Sequence, residues 1–334
     1  MQKESRDETQ LIKIGCAGLG VVARKFYIPS LLRLSGRCEI TACSGTEELH
    51  CEEGYNCYLD IDTMLANEEL DAVIIFGNPG ERGKEIISAL AKCHVLCEMP
   101  ITLDYLEIPR IFDEARYNKR ILMLGENRFC APTYMRAKEI TDNVPPRMMV
   151  LQKCRHALED MEDGFAAKLE DHVKRNYRIE GTPMLPFIVE FLNMAEWFAG
   201  PITGWEAESK PLQSGMQTNI RTNALLKHKN DTSSMLNYDE FGSMICEHLT
   251  LHASGSTYIV RGSLMQPNQL LIWSPKGEEV FKGPTDPLIR GGFAGLTENF
   301  ITAIEKNERP KLDTDKWQRI MTIARGIDGS GWWL

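Results

Sequence analysis

The chain has 334 residues, a formal net charge of -9 at pH 7, and 43% hydrophobic against 25% charged residues. This length predicts two domains, because single hydrophobic cores stop growing at roughly 250–300 residues. The composition is that of a globular protein, and the negative charge argues against a nucleic acid or an anionic membrane as the main partner.

The compartment is predicted to be the cytoplasm. No apolar run approaches the roughly 18–20 residues needed to cross a bilayer, and the N-terminal MQKESRDETQ lacks the apolar region of a secretory signal. The ten cysteines allow a disulfide framework, but such frameworks belong to short secreted chains. Several cysteines lie in apolar runs and none forms a CxxC pair, so we expect free structural thiols and no metal site.

The first third of the chain alternates strands with helices. Strands are predicted at LIKIGCAG, EITACS, DAVIIFG, HVLCE and RILMLGE, and helices at ARKFYIPSLLRL, DIDTMLANEEL, GKEIISALAK and IPRIFDEARYNK. This order is typical of right-handed crossovers in a parallel sheet, and the continuous apolar strands indicate helices on both faces. A Rossmann-type domain is therefore predicted over residues 1–129.

A glycine turn follows the first strand and opens the first helix. It has the GxGxxA pattern of a dinucleotide-binding turn, formed by Gly18, Gly20, Val21, Val22 and Ala23. In such turns the first glycine permits the tight bend, the second admits the pyrophosphate, and the small third residue lets helix and strand pack closely. A plain glycine turn is the alternative, but the position after a buried strand favours the dinucleotide site.

The second strand ends in a segment that favours NADP(H), with NAD(H) as the second choice. NAD-binding domains usually carry a carboxylate there for the ribose 2′-hydroxyl, whereas this chain has Ser44, Gly45 and Thr46. Hydroxyl groups without a carboxylate suit a 2′-phosphate, and Arg24 can supply positive charge. An ordinary turn at Ser44 and Gly45 remains the alternative.

The second half of the chain, residues 130–334, is predicted to be an α+β domain on a large, mostly antiparallel sheet. Its strand-like runs are RMMVLQKCRH, TGWEAESK, TNALLKH, SSMLNY, MICEHLTLHA, TYIVRGS and LLIWSP. A helix around PMLPFIVEFLNMAEWFAG interrupts them, and two closing helices are expected to pack back on the first domain. His248 and His252 share one strand face, which indicates a polar face or a subunit interface more than a metal site.

The order of these features resembles the Gfo/Idh/MocA oxidoreductase family. After the glycine turn, HVLCEMP is similar to the family's strand ending in Glu-Lys-Pro, and ILMLGENRFCAPTYMRAKEI to the strand and helix that follow. Tyr177 and Arg178 stand at the family's Trp-Arg pair, and the closing helices also match. The resemblance implies an NAD(P)-dependent oxidoreductase that acts on a sugar-like or polar small molecule. It also implies a homodimer or homotetramer through the C-terminal sheet, with no nucleic acid or membrane as partner.

The residues that carry the family's acid–base chemistry are substituted in this chain. The lysine of Glu-Lys-Pro is Met99, whose thioether cannot transfer a proton. In the family's later helix motif, laid on residues 181–193, the aspartate falls on Pro186, the histidine on Glu190 and the last aspartate on Asn193. The resemblance therefore predicts an altered catalytic site.

Candidate site residues follow from these motifs and from the resemblance. Glu190 is a candidate acid or base if it is buried, and a salt-bridged surface glutamate otherwise. Arg178 is a candidate clamp for a carboxylate or phosphate, and a structural ion pair otherwise. The predicted catalytic residues are Glu190, Tyr177 and Glu98. The predicted cofactor-binding residues are those of the glycine turn, Arg24, Ser44, Gly45 and Thr46, together with Gly77, Asn78, Glu98, Met99 and Asn127. The predicted substrate-binding residues are Arg128, Arg178, His172 and Asn193.

Three function hypotheses follow. The first is an oxidoreductase that transfers a hydride to or from a hydroxyl, carbonyl or imine with atypical acid–base residues. The alternative is a catalytically degenerate member that acts as a nucleotide- or protein-binding subunit, a reading that the substitution at Met99 supports and the intact glycine turn opposes. Non-redox chemistry on a bound cofactor is a third possibility that no residue favours specifically.

Overall fold

The computed structural model describes residues 11–45, 54–156, 185–211, 219–239, 241–263 and 266–329. Its contacts divide the chain into two units. Unit 1 runs to Cys130 and includes Gly292–Gln318, and unit 2 comprises Ala131–Gly291 and continues from Arg319. The division after Cys130 lies one residue from the predicted boundary.

Unit 1 is built on a six-stranded parallel sheet with the order β3-β2-β1-β4-β5-β6. The strands are β1 (Ile12–Ala17), β2 (Cys38–Ser44), β3 (Asn56–Tyr58), β4 (Ala72–Ile75), β5 (His94–Cys97) and β6 (Leu122–Leu124). All four residues of β4 are buried, as expected for a strand covered by helices on both faces. The short edge strand β3 was not predicted.

Helices connect these strands in the predicted order. They are α1 (Ile28–Leu32), α2 (Ile61–Asn67), α3 (Pro79–Leu90) and α4 (Glu107–Tyr117), and a 3-10 turn (Asn127–Cys130) follows β6. The helix predicted after the glycine turn contains a π-helical segment, Ala23–Tyr27, that continues directly into α1. The closing helix α8 (Phe293–Lys306) belongs to unit 1, where Phe293 stacks on Phe26 with ring centroids 4.5 Å apart.

Unit 2 is built on an eight-stranded sheet with the order β14-β13-β12-β11-β7-β10-β9-β8. The strands are β7 (Met148–His156), β8 (Ile202–Pro211), β9 (Asn219–His228), β10 (Ser233–Asp239), β11 (Phe241–Ala253), β12 (Ser256–Ser263), β13 (Gln266–Ser274) and β14 (Gly277–Lys282). The pair β7 and β10 is parallel and the remaining pairs are antiparallel. The structure thus confirms the predicted combination of a parallel Rossmann sheet with a large, mostly antiparallel second sheet.

One face of this second sheet carries the core of unit 2. The helices of the unit are α5 (Pro132–Asn143), α6 (Leu185–Ala199), α7 (Pro287–Arg290) and part of α9 (Thr314–Asp328). Leu249 and Leu251 are fully buried on the inner face, while Leu225 and Met235 on the outer face are 40% and 43% exposed. This alternation is the period of two expected for a sheet with one covered face.

The cysteine prediction needs one correction. Eight described cysteines carry free thiols, and most of them are buried as predicted. Cys57, however, is disulfide-bonded, so the expectation of free thiols throughout was wrong. Sequence patterning could not show this bond, because disulfide pairing depends on tertiary proximity.

Candidate nucleotide site and a buried charge cluster

The glycine turn of unit 1 has the geometry of a dinucleotide-binding turn. Gly18 has a φ of +85°, and a Cβ there would lie 2.9 Å from the backbone nitrogen of Gly77, so a larger residue fits neither the backbone nor the space. A Cβ at Gly20, by contrast, would meet nothing within 4 Å. The second glycine therefore borders open space, which is where such turns admit a pyrophosphate, and the residues present fit a dinucleotide.

The remaining residues of the turn have distinct environments. Ala23 is fully buried, in keeping with its predicted packing role, whereas the side chain of Val21 is 66% exposed. Val22 precedes the π-helical segment as its N-cap. The side chain of Arg24 folds back on the turn, where its Nε donates to the Leu19 carbonyl at 2.9 Å.

The end of β2 contacts the glycine turn directly. The Gly18 N–H donates to the Ser44 carbonyl at 2.7 Å, and the Ser44 residue is buried. A Cβ at Gly45 would lie 3.7 Å from the Leu19 nitrogen, so this glycine also faces the turn. Thr46, the third residue of the predicted 2′-phosphate segment, lies outside the described residues.

The end of β5 carries a second organised loop. Glu98 accepts a hydrogen bond from the Tyr27 hydroxyl at 2.6 Å through Oε1 and one from the Met99 N–H at 2.9 Å through Oε2. The Met99–Pro100 peptide bond is cis and the Met99 side chain is buried. Burial, reinforced by the neighbouring Glu98 carboxylate, raises the pKa of Tyr27 well above its ordinary value, so this hydroxyl remains a donor to Glu98.

The other predicted cofactor residues of unit 1 are placed as follows. Gly77 follows the end of β4, and a Cβ there would come within 2.7 Å of Glu85 Oε2. Asn78 caps α3, where its Oδ1 accepts from the Gly80 N–H at 3.0 Å. Asn127 and Arg128 lie on the 3-10 turn after β6, and both are buried. The structure thus brings the glycine turn together with Ser44, Gly45 and Gly77.

A buried charge cluster occupies the inner face of unit 2, around the predicted acid or base Glu190. The ammonium of Lys153 on β7 lies 3.8 Å from Glu190 Oε2 and 4.0 Å from Glu247 Oε2. Lys153 and Glu247 are 1% and 3% exposed, whereas the Glu190 side chain is 21% exposed. Tyr134 donates to Glu247 Oε1 at 2.9 Å. Glu190 is therefore the member of the cluster that reaches solvent.

Aromatic rings complete the surroundings of Lys153. Its Nζ lies 4.0 Å from the centroid of the Phe187 ring and 5.5 Å from that of Phe191, both on α6. Cation–π contacts of this kind partly replace the lost hydration of a buried ammonium. Asn193, one turn beyond Glu190 on α6, is also buried. Tyr177, Arg178 and His172 lie outside the described residues.

Sequence reasoning missed Tyr27 beside Glu98, and Lys153 with its neighbour Glu247 and the Tyr134 that donates to it. Lys153 had a usable signal, because it follows Met149 and Leu151 at the period of two of a buried strand face. Its partner Glu247 lies directly opposite in the register of β7 and β11, which the sequence does not reveal. The partner of Tyr27 is 71 positions along the chain and was equally invisible.

The two histidines of β11 form no metal cluster with described neighbours. His252 Nδ1 lies 3.1 Å from Thr257 Oγ1 on β12, and His248 is opposite Gln152 and Arg261. Burial lowers the pKa of His248. Within the described ranges, no three His, Cys, Asp or Glu residues are grouped so as to hold a metal ion. No helix in the same ranges is long and apolar enough to cross a membrane.

A parallel sheet with the glycine turn after its first strand is the architecture of a dinucleotide-binding domain. Residues 12–126 match the model of the Gfo/Idh/MocA oxidoreductase family, described as an NAD-binding Rossmann fold. The nucleotide-binding part of the chain thus matches the family that the sequence resemblance indicated.

A curated relative resembles part of the chain. An uncharacterized oxidoreductase of Schizosaccharomyces pombe is 28% identical over 140 residues, which are 40% of this chain and 38% of that protein. The match therefore spans less than two fifths of the curated relative.

Solved structures share the fold over almost the whole chain. Myo-inositol 2-dehydrogenase from Lactobacillus plantarum has a TM-score of 0.78 at 16% identity, covering 96% of this chain and 97% of that one. A 3-ketoreductase from Actinomadura kijaniata in complex with NADP and TDP-benzene also has a TM-score of 0.78, at 18% identity and 95% and 97% coverage. At these identities the likeness establishes the fold of both units and nothing finer.

Proposed function

We propose that this protein is an NAD(P)-dependent oxidoreductase that transfers a hydride to or from a hydroxyl, carbonyl or imine of a sugar-like or polar small molecule. The open space at Gly20 is the observation that carries the proposal, because a turn of this shape serves to admit a pyrophosphate. When bound, the nicotinamide supplies or accepts the hydride. The names of the two similar structures, a myo-inositol 2-dehydrogenase and a 3-ketoreductase in complex with NADP and TDP-benzene, support a polyol or sugar-like substrate.

NADP(H) is the proposed cofactor, with NAD(H) as the second choice. The segment that follows β2 offers Ser44 and Gly45 where NAD-binding domains place a carboxylate. Ser44 closes its strand directly beside the glycine turn, as a residue near the adenosine ribose should. The NADP complex of the similar 3-ketoreductase supports the same preference.

Glu190 is the proposed proton carrier in place of the family's lysine. Reduction of a carbonyl places the hydride on carbon and needs a proton on oxygen, which the acid form of Glu190 gives up to leave a carboxylate. The ammonium of Lys153, 3.8 Å away, stabilises that carboxylate. In the oxidation direction the carboxylate accepts the hydroxyl proton instead. Tyr177 and Glu98 remain proposed catalytic residues, and Arg128, Arg178, His172 and Asn193 proposed substrate contacts.

The first test is titration of the purified protein with NADPH and NADH, followed by nicotinamide fluorescence. We expect micromolar binding of NADPH, weaker binding of NADH, and loss of both in Gly20→Asp, whose carboxylate repels the phosphates. No binding of either nucleotide by the wild type contradicts the proposal. It would favour the degenerate subunit, for which the buried thioether of Met99 at the family's lysine position is the supporting observation.

Turnover is tested next with myo-inositol and NAD+ or NADP+, and with keto-sugar acceptors and NADPH. Glu190→Gln keeps the size of the side chain and removes the transferable proton, so kcat should fall about 100-fold or more with nucleotide affinity unchanged. Glu139→Gln is the matched control, because Glu139 is an exposed glutamate paired with Arg136 on the surface of α5. Equal activity of Glu190→Gln and wild type would exclude Glu190 as the proton carrier.

The outer face of the unit 2 sheet is the proposed contact with a second copy of the chain. Val150, Ile259 and Leu271 lie in register with the exposed Met235 and Val280. They form a row that crosses this face from β10 to β14 and is apolar except at Thr250 on β11. An exposed row of this kind is stabilised when a like surface covers it. A homodimer or homotetramer through this sheet is the proposed assembly.

A further inference from the structure

Arg82 is a buried arginine that the proposed chemistry does not use. It lies in the first turn of α3 and is 3% exposed. A guanidinium removed from water must recover its hydrogen bonds within the protein, and arginine is almost never this deeply buried without such partners. The partners of Arg82 therefore indicate what the residue holds in place.

Backbone carbonyls from two strand ends accept the hydrogen bonds of Arg82. Gly77, at the end of β4, accepts from Nε at 3.1 Å and from Nη2 at 2.5 Å. Beyond β5, Glu98 accepts from Nη1 at 2.8 Å, and the carbonyl of Pro100 accepts from the same nitrogen. Nη2 also donates to Phe76 at 3.3 Å. One guanidinium thus fastens the end of β4 to the loop of Glu98–Pro100.

Both of these strand ends belong to the nucleotide site. The Gly77 nitrogen is the atom that a Cβ at Gly18 of the glycine turn would meet first, at 2.9 Å. Glu98 is bonded from the other side by Tyr27, which lies on the helix that the glycine turn opens. Arg82 therefore supports a wall of the site and the adjoining loop without bordering the open space at Gly20.

Sheet order shows which half of the dinucleotide this wall serves. β2 lies on one side of β1, while β4 and β5 lie on the other. In Rossmann domains the pyrophosphate sits at the turn after the first strand and the adenosine ribose at the end of the second. The nicotinamide half must then extend towards β4 and β5, where Gly77 and Glu98 lie.

We propose that Arg82 is a positioning residue for the nicotinamide half of the bound dinucleotide. It fixes Gly77 and the loop of Glu98–Pro100 relative to each other, so that the nicotinamide meets a preformed surface. The planar fork of an arginine reaches several carbonyls at once, which the single ammonium of a lysine cannot do. This inference rests on the proposed nucleotide-binding function and adds a residue to it.

The test compares the whole dinucleotide with its adenosine half. Wild type, Arg82→Lys and Arg82→Gln are titrated with NADPH and, separately, with adenosine 2′,5′-bisphosphate, using calorimetry for both ligands. Loss of the Arg82 guanidinium should weaken NADPH binding about tenfold, which is the effect of losing one or two hydrogen bonds to a charged group. Binding of adenosine 2′,5′-bisphosphate should stay within about twofold, because its site at β2 does not depend on Arg82.

Arg37→Lys is the matched control. Arg37 immediately precedes β2, which lies on the other side of β1 from β4 and β5. Its guanidinium is held by Glu305 at 2.6 Å and Thr302 at 2.8 Å. Arg37→Lys should change the affinity for neither ligand. Thermal unfolding of all variants shows how much each substitution destabilises the protein. If Arg82→Lys does not fold, Arg82→Gln gives the same comparison with one amide donor retained.

The outcomes separate the inference from the function on which it rests. Selective weakening of NADPH supports a positioning role. Equal weakening of both ligands shows a general structural role and overturns the inference, as does unchanged NADPH affinity in both Arg82 variants. A wild type that binds neither ligand overturns the proposed function itself, and this result is seen before any variant is compared.

Discussion

At the scale of single residues, the two glycines of the turn have different tasks. Gly18 is required by the fold, since its φ is +85° and a Cβ would press on Gly77. Gly20 is not, because a Cβ there meets nothing within 4 Å. The space beside Gly20 is therefore free for a ligand, so folding and binding can be separated by substitution.

Alanine at each position tests this separation. Gly18→Ala should lower the free energy of unfolding by at least about 1 kcal/mol, the cost of a left-handed conformation for a residue with a Cβ. Gly20→Ala should change it by less than about 0.5 kcal/mol and still weaken NADPH binding, because its methyl group occupies the space of the pyrophosphate. Urea unfolding and fluorescence titration measure the two effects. Unchanged NADPH affinity in a stable Gly20→Ala protein would place the nucleotide elsewhere.

Lys153 gives a second prediction at this scale. Lys153→Met fills the same space without the charge, and it leaves the carboxylate of Glu247 buried without its cation. Breaking a buried pair in this way should destabilise the protein by about 3 kcal/mol. The double variant Lys153→Met/Glu247→Gln should recover part of that loss, since no unpaired buried charge remains. Urea unfolding of the two single variants and the double variant measures the coupling.

The control for Lys153 is Lys138→Met. Lys138 pairs with Asp142 at 2.6 Å on the solvent side of α5, where removal of the pair should cost less than about 1 kcal/mol. If Lys153→Met is no more damaging than this control, the charge cluster contributes nothing to stability. A double variant that is less stable than the sum of the single ones would also contradict the coupling.

At the scale of elements, the sequence predicted those strands whose burial leaves an apolar pattern. The continuous apolar runs at β1, β4 and β5 predicted a parallel sheet because both faces of these strands are covered. The strand β14 was missed because every one of its residues is exposed, which leaves no apolar pattern to detect. Pairings between distant elements were not predictable, since Lys153 meets Glu247 only through the register of β7 and β11.

The same limit applies to the candidate site. The glycine turn was predictable because its function is local, contained in consecutive residues at the end of one strand. Arg82 was not, because its bonds reach 16 and 18 positions along the chain to Glu98 and Pro100. A single arginine in a helix carries no local signal of such partners. Sequence patterns thus located the glycine turn and missed the distant contacts that support the neighbouring loops.

His228 ties elements of unit 2 together and makes their stability depend on pH. Its Nδ1 lies 2.7 Å from the Gly200 carbonyl after α6, and its Nε2 lies 2.7 Å from Ser234 Oγ on β10. Burial lowers the pKa of this histidine below its ordinary 6.5, although the bond to Gly200 opposes the shift. In the unfolded chain His228 therefore binds a proton at a higher pH than in the folded protein.

The sign of the pH effect follows from that difference. The contribution of His228 to stability is complete above pH 6.5 and is lost as the pH falls through the lower pKa of the folded state. Thermal unfolding of the wild type should therefore show a Tm that falls more steeply between pH 7.5 and pH 5 than that of His228→Gln. Parallel curves for the two proteins would show that His228 has the same proton affinity in both states.

At the scale of the whole molecule, the outer face of the unit 2 sheet, which no described helix covers, bears on the oligomeric state. Met235 on β10 is 43% exposed and Leu225 on β9 is 40% exposed, and the two lie opposite each other in the register of β9 and β10. Exposed apolar neighbours on a sheet face cost free energy in water, and a second copy related by twofold symmetry covers them. The proposed interface therefore centres on this row.

Met235→Glu tests the interface with a well-matched control. A carboxylate in the middle of a covered apolar row is left unpaired when two copies meet, so the variant should be monomeric at concentrations where the wild type is a dimer or tetramer. Met135→Glu carries the same substitution on α5, where Met135 is 46% exposed, and it should leave the assembly intact. Light scattering coupled to size-exclusion chromatography gives the mass of each protein. A monomeric wild type, or a Met235→Glu protein with the mass of the wild-type assembly, would rule out this face as the contact.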